Sequence, residues 1–350
     1  YLETLHNAQR NAVTHINGPL LVLAGAGSGK TRVITHRIVH LIHQGVRPNN
    51  ILAVTFTNKA AKEMRERVIA LMNQYSPSAR ASADALPTVT TFHSFGVRIL
   101  REFHDVLGLR RHFTIYDRSD SVRAVKLAVE RANYNPKEFE PRTILGKISR
   151  AKGDAVSVQS YKDNASSYPD RVAAEVWVKY EEILKAEDAL DFDDLLVKTL
   201  VLLRDYAPVR DALIARYHYI HIDEYQDTNR VQFEIARLLA GELQNICAVG
   251  DIDQNIYSWR GADIKNVLQF ERFFPKAETI LLEENYRSTK NIIGAANDVI
   301  AKNKNRVEKN VFTTNEDGEK IALYAAMNGG DEAEYIARTA NKLIQEGTSP

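Results

Sequence analysis

A glycine-rich segment near the start of the sequence has the residue types and spacing of a phosphate-binding loop. Its glycines let the backbone curl so that successive N–H groups point at a polyphosphate, beside the partial positive charge of a helix N-terminus. Lys30 is expected to reach the β- and γ-phosphates, and the Thr31 hydroxyl to bind Mg²⁺. The predicted loop consists of Ala24, Gly25, Ala26, Gly27, Ser28, Gly29, Lys30 and Thr31.

This loop departs from the usual pattern G-x-x-x-x-G-K-[ST] at one position, because Ala24 stands where the first glycine is expected. Alanine is small enough for the same turn. The alternative is a glycine-rich turn with a purely structural role. It is disfavoured because an apolar run, the loop, the Lys-Thr pair and a helical pattern follow one another directly.

An acidic pair after another apolar run supplies the second half of a nucleotide site. Asp223 and Glu224 directly follow residues 219–222, Tyr-Ile-His-Ile. Asp223 can bind Mg²⁺, and Glu224 can polarise the water that attacks the γ-phosphate. A kinase would need a hydroxyl-bearing acceptor instead, so a Glu beside the metal-binding Asp favours hydrolysis. The alternative is a surface Asp-Glu pair that only ends a strand.

The composition is that of an ordinary globular protein. The 350 residues include 46 Lys+Arg and 45 Asp+Glu, with 44% hydrophobic and 26% charged residues, which excludes a disordered tail or a collagen-like fibre. No run approaches the roughly 18 apolar residues of a bilayer-spanning helix, so no membrane association is expected. Cys247 is the single cysteine, which excludes an internal disulfide and favours a reducing, cytoplasmic setting. The net charge of +1 neither favours nor excludes nucleic acid.

Short apolar runs followed by helical patterns recur along the chain, which predicts an α/β fold with a parallel sheet. Helices are predicted over residues 31–42 and 59–71. The predicted strands are residues 20–23, 51–56, 89–92, 219–222, 246–249, 279–282 and 321–325.

Three parts are predicted from these patterns. Residues 1–100 and 207–274 form a first α/β domain. Residues 101–206 show helical periodicity without a strand pair, and they are interpreted as an all-helical subdomain inserted into that domain. A second α/β unit is expected to begin at about residue 275 and to continue to residue 350. The slight basic excess in the insert indicates either a phosphate-facing surface or only a solvated helix face.

Longer motifs, taken together, identify a family. They are residues 223–229 (DEYQDTN), 249–262 (VGDIDQNIYSWRGA), 284–289 (ENYRST), 5–13 with Gln9, 55–61, 91–94 and 190–195. In order and type they resemble the Rep/UvrD/PcrA group of superfamily 1 DNA helicases, from about residue 2 to about residue 300. Glu284 and Ile252 stand where Gln and Asp are expected in that group, at positions without an assigned role.

The resemblance implies a motor of two RecA-like domains of the P-loop NTPase class, each with an inserted subdomain and with ATP and Mg²⁺ in the cleft between them. Such a motor moves 3′-to-5′ on single-stranded DNA and unwinds 3′-tailed duplex DNA. Repair or replication proteins are the expected partners. In these terms the three parts are the first motor domain (1A), its insert (1B) and the beginning of the second motor domain (2A).

The resemblance also implies roles at the nucleotide. Gln9 hydrogen-bonds the adenine edge, while Arg32 and Tyr286 flank the base. Gln254 senses the γ-phosphate, and Arg287 is an arginine finger that stabilises charge in the transition state.

DNA contacts are implied on neighbouring positions. Phe56, Tyr257 and Trp259 are expected to stack on unpaired bases, although each ring alone could simply pack under a loop. The residues expected to bind phosphates or sugars are Thr57, Asn58, Thr91, His93 and Arg260. His93 has the alternative role of capping a turn.

The family's later motifs do not occur in these 350 residues. We therefore expect the chain to be a fragment that binds nucleotide weakly and unwinds little by itself. Two further hypotheses remain beside the helicase: a non-catalytic module that binds nucleotide and DNA, and a kinase of small metabolites. The residue pattern does not distinguish RNA from DNA, because stacking and backbone contacts suit both.

Overall fold

The computed structural model describes residues 1–75, 86–303, 307 and 309–349, except for the side chain of Arg260. Its strands are β1 (Leu20–Ala24), β2 (Ile51–Thr55), β3 (Thr88–Thr91), β4 (Thr114–Ile115), β5 (Ala189–Leu190), β6 (Tyr219–Ile222), β7 (Ile246–Gly250) and β8 (Glu278–Leu282).

The helices alternate with these strands over most of the chain. They are α1 (Asn7–Thr14), α2 (Lys30–His43), α3 (Asn58–Tyr75), α4 (Phe92–Glu102), α5 (Arg118–Arg131), α6 (Pro141–Gly153), α7 (Val158–Asp163), α8 (Tyr168–Ala186), α9 (Phe192–Asp205), α10 (Ala207–Arg216), α11 (Arg230–Ala240), α12 (Lys265–Leu268), α13 (Phe270–Phe273), α14 (Lys290–Ile300) and α15 (Gly329–Gln345).

Within the described residues, six parallel strands form the main sheet in the order β3-β2-β6-β7-β1-β8. The strands are apolar on both faces because helices cover both sides. In β1, Leu21 and Leu23 face a core shared with α4, α9 and α11, whereas Leu20 and Val22 face a core shared with α1, α2 and α3. The predicted α/β fold with a parallel sheet is therefore confirmed.

The inserted segment has its own apolar core between α5, α6 and α8, with Trp177 and Tyr180 at its centre. The expectation of an all-helical insert needs one correction. Strand β4 pairs in parallel with β5, and the Thr114 amide donates to Asp188 O at 2.9 Å. Strands of two residues are too short to produce an alternating pattern, which explains why the sequence did not indicate them.

The end of the predicted strand pattern also differs from the structure. Strand β8 was assigned to a second α/β unit, but it pairs with β1 as the edge strand of the main sheet. The strand predicted over residues 321–325 is wrong. Leu323 there is 95% exposed, and among the described residues no neighbouring strand pairs with this segment. An apolar run alone does not make a strand, because the backbone also needs a hydrogen-bonded partner.

Of the helices in the described part of the chain, none combines the length and the apolar character needed to cross a bilayer.

Candidate functional site

The predicted site residues lie at one edge of the main sheet. All strands of this sheet run parallel, so their C-terminal ends meet at the same edge, which is the usual position of ligand sites in such sheets. The phosphate-loop residues follow β1, Asp223 follows β6, and Gln254 follows β7. The topology therefore brings together segments that are 192 to 230 positions apart in the chain.

Two glycines of the phosphate loop are required by backbone conformation and by space. Gly27 and Gly29 have φ angles of +65° and +89°, in the left-handed region that side chains disfavour. A β-carbon at Gly27 would lie 2.6 Å from Asn285 Nδ2, and one at Gly29 would lie 2.8 Å from Gln9 Nε2. A larger residue at either position would displace a side chain that holds the loop.

Two buried carboxamides hold the loop in shape. Gln9 Nε2 donates to Ser28 O at 2.8 Å, and Asn285 Nδ2 donates to Ala26 O at 2.6 Å. Both side chains are only 2% exposed. The loop is therefore organised from α1 on one side and from the segment after β8 on the other. Asn285 lies within the motif at residues 284–289, which did not by itself predict this role.

Asp223, the first residue of the acidic pair, lies beside the start of α2, where the sequence motifs place the partner of the phosphate loop. The Thr31 hydroxyl donates to the Asp223 carboxylate, and Lys30 is close enough to attract it. Burial raises the pKa of Asp223 to about 7, with a further contribution from Glu224, while Lys30 and Thr31 act in the opposite direction. A hydroxyl and a carboxylate oxygen are ligands that Mg²⁺ prefers, so these residues fit that ion.

Glu224 has an unusual backbone conformation. Its φ angle of +50° lies in the left-handed region, where a non-glycine residue is strained. Its Oε2 accepts a hydrogen bond of 2.8 Å from Gln226 Nε2. The side chain is thus oriented by its own turn and by a buried neighbour, an arrangement typical of functional positions.

Gln254 and Arg287 also lie at this edge of the sheet. The Gln254 carboxamide donates to Asp251 Oδ2 at 2.5 Å, at the end of β7. Arg287 lies against the phosphate loop, because a β-carbon at Gly27 would be 2.9 Å from its Cβ. Its amide donates to Asn285 Oδ1 at 2.8 Å, so the residue that holds the loop also positions the backbone of Arg287.

A cavity of about 470 Å³ lies between α1, the phosphate loop and the segment after β8, and both Gln9 and Tyr286 line it. This volume is within the usual range of ligand pockets, roughly 300–1,000 Å³. Arg32 lies near Tyr286 and donates through Nη2 to Thr4 O at 2.9 Å. The three residues expected around adenine therefore gather at one place.

Two further residues of this cavity were not assigned a role from the sequence. His6 stacks on Tyr286 with ring centroids 4.5 Å apart and an interplanar angle of 24°. Glu284 accepts a hydrogen bond of 2.8 Å from the Tyr286 hydroxyl through Oε2. The substitution of Glu for the expected Gln at position 284 thus falls on the cavity wall, whereas Ile252 is a buried core residue.

Three aromatic rings form a surface cluster next to the acidic pair. Phe56 follows β2, and Tyr257 lies in the loop after β7; their rings stack at 5.0 Å and 25°. Trp259 lies 6.4 Å from Tyr257 and is 67% exposed. The alternative of rings packed under a loop does not hold for Trp259, because most of its surface is open to solvent.

The polar candidates lie at two adjacent helix N-termini. Helix α3 begins at Asn58 after β2, and α4 begins at Phe92 after β3. Thr57 Oγ1 accepts from the Ala60 amide at 3.1 Å, and Thr91 Oγ1 accepts from the Ser94 amide at 3.2 Å. These hydroxyls therefore cap helices, and the two N-termini together provide the positive potential that attracts phosphate.

His93 lies in the first turn of α4, whose cap is Thr91 and not the histidine. Burial lowers the pKa of His93, which favours its neutral form. Its ring lies 5.5 Å from that of Phe192, which is 52% exposed at the start of α9. Phe192 was not predicted as a contact residue, although an aromatic within the motif at residues 190–195 was an available signal. The Arg260 side chain lies outside the described residues.

Comparison with known proteins gives the same family over almost the whole chain. The family model described as UvrD/REP helicase N-terminal domain matches residues 5–275, and that of the UvrD-like helicase C-terminal domain matches residues 280–349. The chain is 46% identical to the ATP-dependent DNA helicase PcrA of Bacillus subtilis over 347 residues, and 45% identical to that of Staphylococcus aureus strain Mu50. Each alignment covers 99% of this chain and 46% of the relative, so the chain spans about half the length of the curated relatives it matches.

Proposed function

Because the chain belongs to the UvrD/REP helicase family, we propose that the protein hydrolyses ATP with Mg²⁺ to move 3′-to-5′ along single-stranded DNA and to unwind 3′-tailed duplexes. Action in the cytoplasm, which the single cysteine Cys247 favours, is part of the same proposal, and so are DNA repair or replication proteins as partners. We also propose three parts of the chain: the first motor domain over residues 1–100 and 207–274, its inserted subdomain over residues 101–206, and the beginning of the second motor domain over residues 275–350.

One observation carries this proposal: Asp223 contacts the phosphate loop and follows the strand that lies between the two strands whose loops carry the stacked aromatic rings. Asp223 contacts Thr31, and the strand that carries it, β6, lies between β2 and β7, whose loops hold Phe56 and Tyr257. Nucleotide chemistry and base stacking would therefore occur at adjacent strand ends. A metabolite kinase has no use for an aromatic cluster with a ring as exposed as that of Trp259.

The residues of this chain have separate tasks in the proposed reaction. Lys30 and the loop amides bind the phosphates, and Gln9 with the wall of the 470 Å³ cavity binds the base. Thr31 and Asp223 would hold Mg²⁺, which supplies Lewis-acid charge at the phosphates when bound. Glu224 orients the attacking water and accepts its proton. Arg287 stabilises the negative charge of the transition state, an effect typically worth about 10³ to 10⁵ in rate.

The DNA is proposed to cross the ends of β2, β3 and β7. Bases would stack on Phe56, Tyr257 and Trp259, which is tolerant of sequence because every base has an aromatic face. Phosphates would lie near the N-termini of α3 and α4. Phe192 beside His93 extends this proposed surface.

A non-catalytic module that binds nucleotide and DNA is the second candidate. The strained backbone of Glu224 and the position of Arg287 against the phosphate loop favour the enzyme, because mere binding requires neither. The Glu224→Gln variant separates the two. An enzyme should lose turnover and keep ATP binding, whereas a binding module has no turnover to lose.

The test of the proposed function is an ATPase assay of the full-length protein with and without single-stranded DNA or RNA, together with unwinding of 3′-tailed and 5′-tailed duplexes. We expect single-stranded DNA to stimulate hydrolysis and only the 3′-tailed duplex to be unwound. Hydrolysis that neither nucleic acid stimulates would contradict the proposal. A stronger stimulation by RNA than by DNA would change the proposed substrate from DNA to RNA.

A further inference from the structure

Gln226 is a buried glutamine that contacts both halves of the site. It is 1% exposed and follows the acidic pair by two positions. Its Nε2 donates to Glu224 Oε2 at 2.8 Å and to Asp227 Oδ2 at 3.3 Å. Its Oε1 accepts from the Asp251 amide at 2.9 Å, at the end of β7. One carboxamide therefore connects the proposed catalytic carboxylate to the loop after β7.

The orientation of this carboxamide follows from its neighbours. If the group were turned over, Oε1 would face the carboxylates of Glu224 and Asp227, and the amino group would face the Asp251 N–H. Both contacts would be repulsive. The amino group must therefore point to Glu224 and the oxygen to Asp251. Because the side-chain amide is planar, a movement of Glu224 changes the hydrogen bond between Gln226 and the Asp251 amide, and a movement of Asp251 changes the hydrogen bond to Glu224.

The loop after β7 is fastened to the same short segment at several points. Asn255 Nδ2 donates to Gln226 O at 2.5 Å. Farther along, the Asp263 amide donates to Thr228 O at 3.1 Å, and Asn266 Nδ2 donates to the same oxygen at 2.9 Å. Residues 251–266 are thus held by hydrogen bonds to residues 226–228. Tyr257 and Trp259 lie between the hydrogen-bonded residues Asn255 and Asp263.

Gln226 is closely packed against the end of β7. A β-carbon at Gly250 would lie 2.7 Å from Gln226 Oε1 and 3.2 Å from its backbone nitrogen. Gln254, the proposed γ-phosphate sensor, donates a hydrogen bond to Asp251 Oδ2. The backbone amide of the same Asp251 donates to Gln226. Tightly packed contacts of this kind shift between discrete arrangements and do not deform gradually.

We propose that Gln226 is a positioning residue that couples the nucleotide state at Glu224 to the aromatic cluster of the loop after β7. It does not touch the nucleotide or the DNA. When Glu224 changes its hydrogen bonding during hydrolysis, Gln226 shifts the loop at Asp251 and Asn255, and with it the rings that hold the bases. This inference rests on the proposed function and adds a specific route of communication to it.

Coupling between two ligands is reciprocal and is measured without turnover. The experiment determines the affinity of the full-length protein for single-stranded DNA with and without a non-hydrolysable ATP analogue. The ratio of the two affinities is the coupling factor, typically about 5 to 150 in coupled proteins. For Gln226→Leu, which keeps the volume but removes the three side-chain hydrogen bonds, we expect the factor to fall to within about twofold of unity.

Gln232 provides a matched control. It is also a buried glutamine, 7% exposed, but its carboxamide oxygen accepts from the Asn229 amide at 3.0 Å and only caps α11. Gln232→Leu should keep the wild-type coupling factor. If both variants lose it equally, or if Gln226→Leu keeps it, the inference is overturned.

A second variant keeps the test decisive if Gln226→Leu does not fold. Asn255→Ala removes the contact between the loop and Gln226 O from a half-buried position. It should lower the coupling factor as well, and an unchanged factor would overturn the inference. A wild-type factor of one would overturn it too, but the ATPase and unwinding assays would still decide the proposed function separately.

Discussion

The stacked rings of Phe56 and Tyr257, 5.0 Å apart, join two loops whose strands are not neighbours in the sheet. Strand β6 lies between β2 and β7, and Asp223 directly follows it. The aromatic pair therefore spans the strand that carries the acidic residues. Bases bound on these rings would lie at the same sheet edge as the proposed phosphate chemistry. Coupling between DNA binding and hydrolysis would therefore act over a short distance.

Trp259→Ala should weaken binding of single-stranded DNA by about 5- to 150-fold, because stacking contributes roughly 1–3 kcal/mol per base. The indole is 67% exposed, so the substitution should not create a core cavity. Affinity for a fluorescent ATP analogue should stay within about threefold, since the indole is outside the cavity proposed to bind the nucleotide. Fluorescence anisotropy with labelled oligonucleotides and with the analogue measures both.

Tyr168→Ala is the matched control for that substitution. Tyr168 is an exposed aromatic, 54% accessible, at the start of α8 in the inserted segment. It should leave DNA affinity unchanged. An equal loss for both variants would mean that general surface aromaticity, and not the cluster at the strand ends, determines DNA binding.

Gly27→Ala should lower nucleotide affinity at least about tenfold. The new methyl group would require a positive φ angle and would lie 2.6 Å from Asn285 Nδ2, so the hydrogen bond that holds the loop would be lost. Gly146→Ala is the control, since it lies within α6 with no atom close to the added carbon. It should stabilise the protein by about 0.5–1 kcal/mol without affecting nucleotide binding. Isothermal titration with an ATP analogue and urea unfolding would test both expectations.

The parts of the site that the sequence predicted share a physical origin. Lys30, Asp223 and Gln254 each follow a short apolar run, and in a parallel sheet such positions converge whatever their separation in the chain. The type of residue at each strand end therefore carried most of the chemical information. The position of Arg287 against the phosphate loop was likewise expected from its motif.

The contacts that the sequence did not predict depend on packing between remote segments. Phe192 meets His93 across 99 positions, and His6 stacks on Tyr286 across 280 positions in the cavity that both residues line. Neither pair leaves a periodic signal in the chain. The role of Gln226 was hidden for the same reason, since its partner Asp251 is 25 positions away.

Lys152→Met should destabilise the protein by about 3–5 kcal/mol, because it leaves buried carboxylates without their cation. Lys152 Nζ lies 2.9 Å from Asp191 and 2.8 Å from Asp194, with all three side chains almost fully buried. Burial lowers the pKa of Lys152, but the carboxylates outweigh this effect and hold it well above its usual value. Burial also raises the pKa of Asp194 to about 7.

Lys179→Met is the matched control for this buried ion cluster. Lys179 pairs with Glu182 at 3.1 Å on the surface of the same inserted segment. Loss of such a surface pair should cost no more than about 1 kcal/mol. Urea unfolding of both variants measures the difference. A loss for Lys152→Met as small as that of the control would show that the buried carboxylates lose their charge at little cost.

Stability should fall below pH 6.5 because of His221, a fully buried residue of β6. Burial, with the nearby Arg37, lowers its pKa to about 3. The unfolded chain therefore binds one more proton than the folded chain between about pH 6.5 and pH 3, and the free energy of unfolding decreases as the pH decreases. From pH 7 to pH 5 this residue should remove about 2 kcal/mol. His221→Leu should flatten the pH dependence of unfolding by that amount, whereas an unchanged slope would show that the buried imidazole acquires its proton without unfolding.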